Sequence, residues 1–384
     1  MRLVSRSSPF PLLLILCFSA ACGGGTDDGA GRAEDRYVII DDDIGFHNRG
    51  CLEDGYLGLF RIANPDLEPQ WGLLDLARLC DHDGGVQLIY ALYKAETDPH
   101  LHILGVTTVH GTEFPEWTYQ SAKDIVDRIQ PQLKAPVPVF MGAPEAASSF
   151  GKRTPAVDFI IRSVMGNPHQ VEILATGPLT NIATAVQIEP RLPDTWKQVY
   201  IGGLGNFRDA LVPGYHYLGY DAGVPEMNAN GDVRALQYFV QHQRNTTWFS
   251  GEASEVHPWG LCYEDWKAIL DAGGGQDNFQ SYVARELAPW QLMIATIGRL
   301  MEWPDGCGNE SGTTQVALML DPQLRGKSVV SAVDVVVNPD RADGSYCEAL
   351  SDDPTKPRVR IHYSVQGDWG KVKEDAMKAM QHFR

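Results

Sequence analysis

Short apolar runs alternate with longer amphipathic ones along much of this chain. Tyr37–Ile40, Leu101–Val109, Val137–Phe140, Val171–Ala175 and Gln198–Ile201 are rich in β-branched residues, and acids, glycines or other polar residues close each run. That pattern predicts strands. Between them, Val86–Tyr93, Trp117–Ile129, Val157–Val164 and Asn181–Ile188 have helical length and spacing. Strand alternating with helix predicts an α/β fold, a mainly parallel central sheet flanked by helices. In such sheets ligands sit beyond the carboxyl ends of the strands. The polar residues after Ile40, Val109, Ala175 and Ile201 should therefore meet in one crevice. Past Ala235 the pattern weakens. Pro289–Met301 reads as a helix with its proline in the first turn. Ser328–Val337 and Arg358–Val365 read as strands, and Lys371–His382 as a terminal amphipathic helix. No internal repeat is visible.

The first residues point to export. Arg2 and Arg6 precede the apolar run Pro11–Phe18, and Ser19-Ala20-Ala21-Cys22 follows. A basic start, a short apolar stretch and small residues predict a signal peptide over residues 1–21. The run is shorter than the roughly 20 residues a membrane span needs. Ser-Ala-Ala-Cys resembles the lipobox of bacterial lipoproteins, which implies a lipid on Cys22 and a place in the cell envelope. Ser19, where leucine is usual, leaves free secretion as the alternative. Residues 22–36 are glycine-rich and charged and read as a flexible tether. One domain, residues 37–384, is expected beyond it.

Composition changes this picture little, and charge narrows the partners. Apolar residues make up 43% of the chain, enough for a sizeable core. The formal net charge is −17, and −19 without Arg2 and Arg6. Such a surface excludes nucleic-acid backbones and anionic membranes as natural partners. Membrane contact is expected only through a lipid anchor; a small-molecule partner and an oligomer remain open. Without Cys17 and Cys22, five cysteines remain: Cys51, Cys80, Cys262, Cys307 and Cys347. An odd count leaves at least one thiol free or paired with another chain. Export makes disulfides plausible.

Candidate chemistry centres on Asp41-Asp42-Asp43, at the end of the first strand. Three adjacent carboxylates repel one another unless a cation or hydrogen-bond donors compensate them. Oxygen ligands suit calcium or magnesium. The competing reading is a solvated acidic turn or a helix cap. A second acidic group, Asp81-His82-Asp83, precedes the first helix, where an Asp also serves as an N-cap. Cys51 and Cys80 lie between the two groups; if paired, they fold the segment into a lobe whose neck adjoins both. His47, His82, His110, His216 and His257 show no metal-ligand spacing and read as loop or packing residues. Gly202-Gly203-Leu204-Gly205 lacks the spacing of a phosphate loop. Phe279, Tyr282 and Trp290 read as core, with stacking on a base or sugar as the alternative.

In order, these segments resemble the nucleoside hydrolases, the inosine–uridine-preferring nucleoside N-ribohydrolases. That family pattern is a strand, then Asp-x-Asp-x-Gly-x-Asp-Asp, then an apolar helix. The chain has Ile39-Ile40-Asp41-Asp42-Asp43-Ile44-Gly45, an insertion at about 46–81, and then Asp83-Gly84-Gly85-Val86-Gln87-Leu88. Leu104–Gly111, Pro138–Ala143, Ala175-Thr176-Gly177-Pro178-Leu179-Thr180-Asn181, Gly202-Gly203 and Glu226-Met227-Asn228 with Asp232 follow in family order. The resemblance implies a Rossmann-like open sheet and a calcium ion at the strand ends. Asp41, Asp43, Asp83 and the Thr176 carbonyl would surround the ion. Asp43 would also be the general base, and Glu226 and Asn228 would hold the sugar hydroxyls.

Several positions depart from the family pattern. The second acid of the Asp-Asp pair falls on Gly84, with Asp81 a candidate to replace it. Thr112 and Tyr220 stand where asparagines are expected. Counted back from Leu320-Asp321-Pro322, the family's His-Asp pair falls on Ser311 and Gly312, and Glu310 is a candidate replacement. Two functions follow as expectations. One is a hydrolase cleaving the N-glycosidic bond of a nucleoside or related glycoside with a metal-activated water. The other is a degenerate sugar-binding or structural surface lipoprotein.

Overall fold

The computed structural model describes residues 34–45, 82–111, 115–145, 149–203, 207, 211, 227–254, 259–272, 278–286, 310–337 and 346–384. Asp35–Arg384 forms one compact unit. The signal segment, most of the tether, the insertion, Cys51, Cys80, Cys307 and the Pro289–Met301 run lie outside the described residues.

Nine strands form one sheet: β1 (Arg36–Asp42), β2 (Leu101–Thr108), β3 (Val139–Met141), β4 (Val171–Ala175), β5 (Gln198–Gly202), β6 (Thr246–Phe249), β7 (Ser328–Val337), β8 (Tyr346–Ser351) and β9 (Val359–His362). Their order across the sheet is β3-β2-β1-β4-β5-β6-β9-β7-β8. The first seven in that order are mutually parallel, and β7 runs antiparallel to both β9 and β8. The expected strands are present. Sequence reading missed β6 and β8.

The longer helices are α1 (His82–Thr97), α2 (Pro115–Ile129), α3 (Pro155–Gly166), α4 (Thr180–Ile188), α5 (Val233–His242), α6 (Tyr263–Ala272), α7 (Phe279–Glu286), α8 (Ser311–Leu320) and α9 (Trp369–His382). They cover both faces of the sheet, so β1 must be apolar on both. Its alternation shows this: Val38 and Ile40 join the core under α1, α2, α8 and α9, whereas Ile39 joins the core under α3, α4 and α5. All three are fully buried, each worth about 1.5–3 kcal/mol relative to exposure. Phe279 and Tyr282 are buried core residues, as expected. Cys262, just before α6, is disulfide-bonded.

This topology also locates the site. The order runs β3-β2-β1 to one side and β4-β5-β6 to the other, so the winding direction reverses between β1 and β4. Crevices open beyond the carboxyl ends of strands at such a switch point. The acidic loop occupies that end of β1.

Candidate functional site

Asp41, Asp42 and Asp43 are only 0%, 2% and 1% exposed. The acidic loop is therefore not a solvated turn. Burial follows from register: Asp41 sits opposite Thr107 on β2 and Ala175 on β4, inside the sheet.

Strand alternation sends Asp41 and Asp42 to opposite faces. Asp41 follows Ile39 towards α4. Its Oδ1 accepts from Thr107 Oγ1 at 2.6 Å and Asn181 Nδ2 at 2.8 Å. Asn181 also donates to the Thr108 carbonyl at 2.9 Å and accepts from the Ala143 N–H at 2.9 Å. One amide thus ties the end of β2 and the loop after β3 to β1. Burial raises the Asp41 carboxyl to about 6, against the lowering effect of these two donors.

Asp42 follows Ile40 towards α1 and α8. Burial pushes its carboxyl well above the ordinary range, with Asp43, Asp83 and Asp41 adding repulsion and a hydrogen bond from Thr176 opposing it. Asp43 lies between two glycines. A Cβ at Gly111 would fall 1.7 Å from its Oδ2, and one at Gly177 would fall 2.9 Å from its Oδ1. Only glycines leave room for that carboxylate.

The surrounding elements add more oxygen. Thr176 follows β4; its N–H donates to the Asp41 carbonyl at 2.9 Å, and its own carbonyl accepts from Asn228 Nδ2 at 2.8 Å. Gln87 Nε2 of α1 donates to Thr176 Oγ1 at 2.8 Å. Asp83, in the first turn of α1, accepts from the Gly312 N–H of α8 at 2.7 Å. Glu310 is buried at the start of α8. Burial, then Asp83 and Asp265, push its carboxyl well above the usual range. No basic side chain among the described residues pairs with Asp41, Asp42, Asp83 or Glu310.

Asp41, Asp42, Asp43, Asp83, Thr176 and Asn228 are thus gathered at one end of the sheet. Glu226, Asp81, Thr112 and Tyr220 lie outside the described residues. Sequence reading gave His110 as a loop or packing residue and missed its hydrogen bonding; it is buried, and its Nε2 lies 2.8 Å from Thr180 Oγ1, which donates to Asp232 Oδ2 at 2.7 Å. Thr180 spends its one proton on Asp232, so His110 Nε2 is the donor in the first bond. Burial lowers the His110 pKa. Its position right after β2, beside the matched Thr-Asn run, was the available signal.

Among the described residues, no three His, Cys, Asp or Glu side chains stand together with metal-site geometry. Several buried oxygens nevertheless lack a hydrogen-bond partner, among them Asp41 Oδ2, Asp42 Oδ2 and Gln87 Oε1. Unsatisfied, self-repelling oxygens of this kind suit a hard cation once amide and carbonyl oxygens are counted with the carboxylates.

Comparison with known proteins agrees with this geometry. The inosine-uridine preferring nucleoside hydrolase of Leishmania major is 28% identical over 193 residues, covering 44% of this chain and 58% of that protein. The pyrimidine-specific ribonucleoside hydrolase RihB of Escherichia coli is 26% identical over 157 residues, covering 34% and 49%. The alignments thus span roughly half the length of these relatives. Among solved structures, the purine-preferring ribonucleoside hydrolase from Gardnerella vaginalis superposes with a TM-score of 0.61 at 18% identity, covering 90% of this chain and 98% of the other. The plant nucleoside hydrolase PpNRh1 gives 0.60 at 19% identity, with the same coverage. These structural likenesses show the fold. The family model described as inosine-uridine preferring nucleoside hydrolase matches residues 79–372, about three quarters of the sequence, and the chain belongs to that family.

Proposed function

We propose that this protein hydrolyses the N-glycosidic bond of nucleosides or a closely related glycoside, with Asp43 as general base. The observation that carries this reading is the buried, self-repelling carboxylate group at the switch point of the sheet. Nothing in core packing calls for three adjacent buried acids, whereas a cation-dependent hydrolase does.

The residues present fit a hard cation such as calcium. Asp43, Asp83, Asp41 and the Thr176 carbonyl are the candidates to hold it. When bound, such an ion supplies Lewis acidity that makes water easier to deprotonate. Asp43, cradled between Gly111 and Gly177, accepts the proton of the attacking water. That water adds to the anomeric carbon while the C–N bond breaks through an oxocarbenium-like state. The electron pair of the broken bond leaves with the base. Asn228 is held beside Thr176, where its amide can also serve a sugar hydroxyl. Ser311 and Gly312 carry no acid to protonate a departing purine. This favours bases that leave readily, since general-acid help is typically worth about 10²–10⁴-fold.

The same two positions motivate the second reading, a ligand-binding relative without turnover. Ribose release by purified protein over a panel of purine and pyrimidine nucleosides, with and without chelator, separates the two. Chelator-sensitive release that Asp43→Asn abolishes supports the hydrolase. No release from any nucleoside supports the binder. We place the protein in the cell envelope on the strength of the leader and Cys22; a disulfide at Cys262 is consistent with an oxidising compartment. Palmitate labelling lost in Cys22→Ala tests the anchor.

A further inference from the structure

Two glycines face two unsatisfied oxygens on the Asp42 side of the sheet. A Cβ at Gly84 would lie 3.0 Å from Asp42 Oδ2. A Cβ at Gly312 would lie 2.1 Å from Gln87 Oε1. Asp42 and Gln87 are 2% and 1% exposed, and neither of these oxygens has a hydrogen-bond partner. The space that side chains at 84 and 312 would enter is thus already held by oxygens from other residues.

The orientation of Gln87 is fixed by its neighbours. Gln87 Nε2 donates to Thr176 Oγ1 at 2.8 Å. The amide NH₂ of Gln87 therefore faces Thr176, and Oε1 faces Gly312. Gly312 in turn gives its N–H to Asp83 Oδ2. Asp42, Gln87, Thr176, Asp83 and the two glycines form one connected group. An unpaired buried carboxylate oxygen and an unpaired buried amide oxygen in such a group are costly unless something binds them.

We propose that Asp42 Oδ2 and Gln87 Oε1 are cation ligands that have taken over, in space, the places of side chains at positions 84 and 312. The inference rests on the reading of this crevice as a cation-dependent hydrolytic site. It makes Asp42 a ligand supplied by the strand in place of one from the helix. It also makes Gln87 a neutral ligand standing where a charged one would project from α8. One donated oxygen carries no charge, so calcium binds more weakly here than in an all-carboxylate site.

The test is calcium titration by calorimetry of the full-length protein, stripped with chelator, with terbium luminescence as a second readout. Asp42→Asn and Gln87→Met, which keep side-chain volume, should each weaken calcium binding by about 10- to 100-fold. Asp42→Thr should do the same, and adding Gly84→Asp to Asp42→Thr should recover most of the lost affinity. That recovery reports ligand transfer between two positions and cannot come from a general packing defect. Two results would overturn the inference and leave the hydrolase reading standing. One is Asp42→Asn and Gln87→Met binding calcium as the parent does while Asp43→Asn loses it. The other is a parent that binds no cation yet releases ribose. A parent with neither cation binding nor ribose release defeats both.

Discussion

The two ends of this sheet bury carboxylates by opposite means. At the amino end, Glu172 on β4 is buried and meets Arg36 Nη2 at 2.5 Å and Lys197 Nζ at 3.5 Å. Charge there is cancelled within the chain. At the carboxyl end, Asp41 and Asp42 are equally buried, yet no basic side chain among the described residues pairs with them. The first arrangement is complete without any further component. Among the described residues only protons or a cation can complete the second, and this marks it as functional.

The largest effect that can break the comparison is on turnover. Asp43→Asn keeps the shape between Gly111 and Gly177 but removes the proton acceptor. The turnover number should fall by about 10²–10⁴-fold, with an unchanged circular dichroism spectrum. Removing the Glu172 pair by Arg36→Met should lower stability and leave turnover per folded molecule unchanged. Steady-state kinetics on both variants would decide. Equal losses of turnover would end the distinction between a functional and a structural end.

A pH dependence comes next. Burial raises Asp41 from 3.8 to about 6 in the folded protein, and Asp42 and Glu310 shift in the same direction. The folded state then holds a proton that the unfolded state releases above about pH 4. The stabilisation is fully present below the unfolded pKa and is lost as pH rises through about 6. For Asp41 alone the swing is on the order of 3 kcal/mol. In chelator, the unfolding temperature should therefore rise as pH is lowered from about 6.5 to about 4.5. Saturating calcium should flatten that slope, since the ion replaces the protons. A chelated protein that steadily loses stability over this acidification would contradict the account.

How much of this was legible in the sequence follows from where each signal lies. The parallel strands were visible because burial on both faces writes them as continuous apolar runs. The four-residue strand β6, Thr-Thr-Trp-Phe, is too short for periodicity to register. Strand β8, Tyr-Cys-Glu-Ala-Leu-Ser, pairs among the described residues with β7 alone and mixes polar with apolar residues. Helix α8 begins Ser-Gly-Thr-Thr, weak helix formers whose helicity comes from packing in the core. Asp41, Asp43, Asp83, Thr176 and Asn228 were legible through family spacing. Gln87 was not, because it reads as one more position in a buried helix. Its meaning appears only when α8 is laid against α1 and Gly312 is seen to leave it room. Asp42 sat between the two, since the alternation Val38, Ile40, Asp42 already assigns it to the α1 and α8 face.

The brace on Asp41 gives a smaller effect. Asn181→Leu removes a donor to Asp41 and to the Thr108 carbonyl, and an acceptor for Ala143. Leaving buried polar groups unsatisfied typically costs about 1–3 kcal/mol, so a loss of about 2 kcal/mol is expected in urea unfolding. The Asp42 face has no equivalent brace from α4, and its response to calcium should survive in this variant. Loss of calcium binding in Asn181→Leu would show that the two faces act as one unit.

The smallest effect tests the contact between α1 and α8 directly. Gly312→Ala places a methyl group 2.1 Å from Gln87 Oε1, and the glutamine must move. Overpacking in a buried contact costs about 1–3 kcal/mol, and a flexible side-chain end keeps the value near 1. Gln87→Ala alone also destabilises, through lost packing and the lost bond to Thr176. In the double variant the new methyl meets no glutamine. Its loss should therefore be smaller than the sum of the single losses by about 1 kcal/mol, well above the scatter of additive sites. Urea unfolding of the four proteins in chelator measures this without involving a bound ion. Strict additivity would mean that α1 and α8 are not in contact at this point, and the oxygen at Gln87 would have no fixed place in the site.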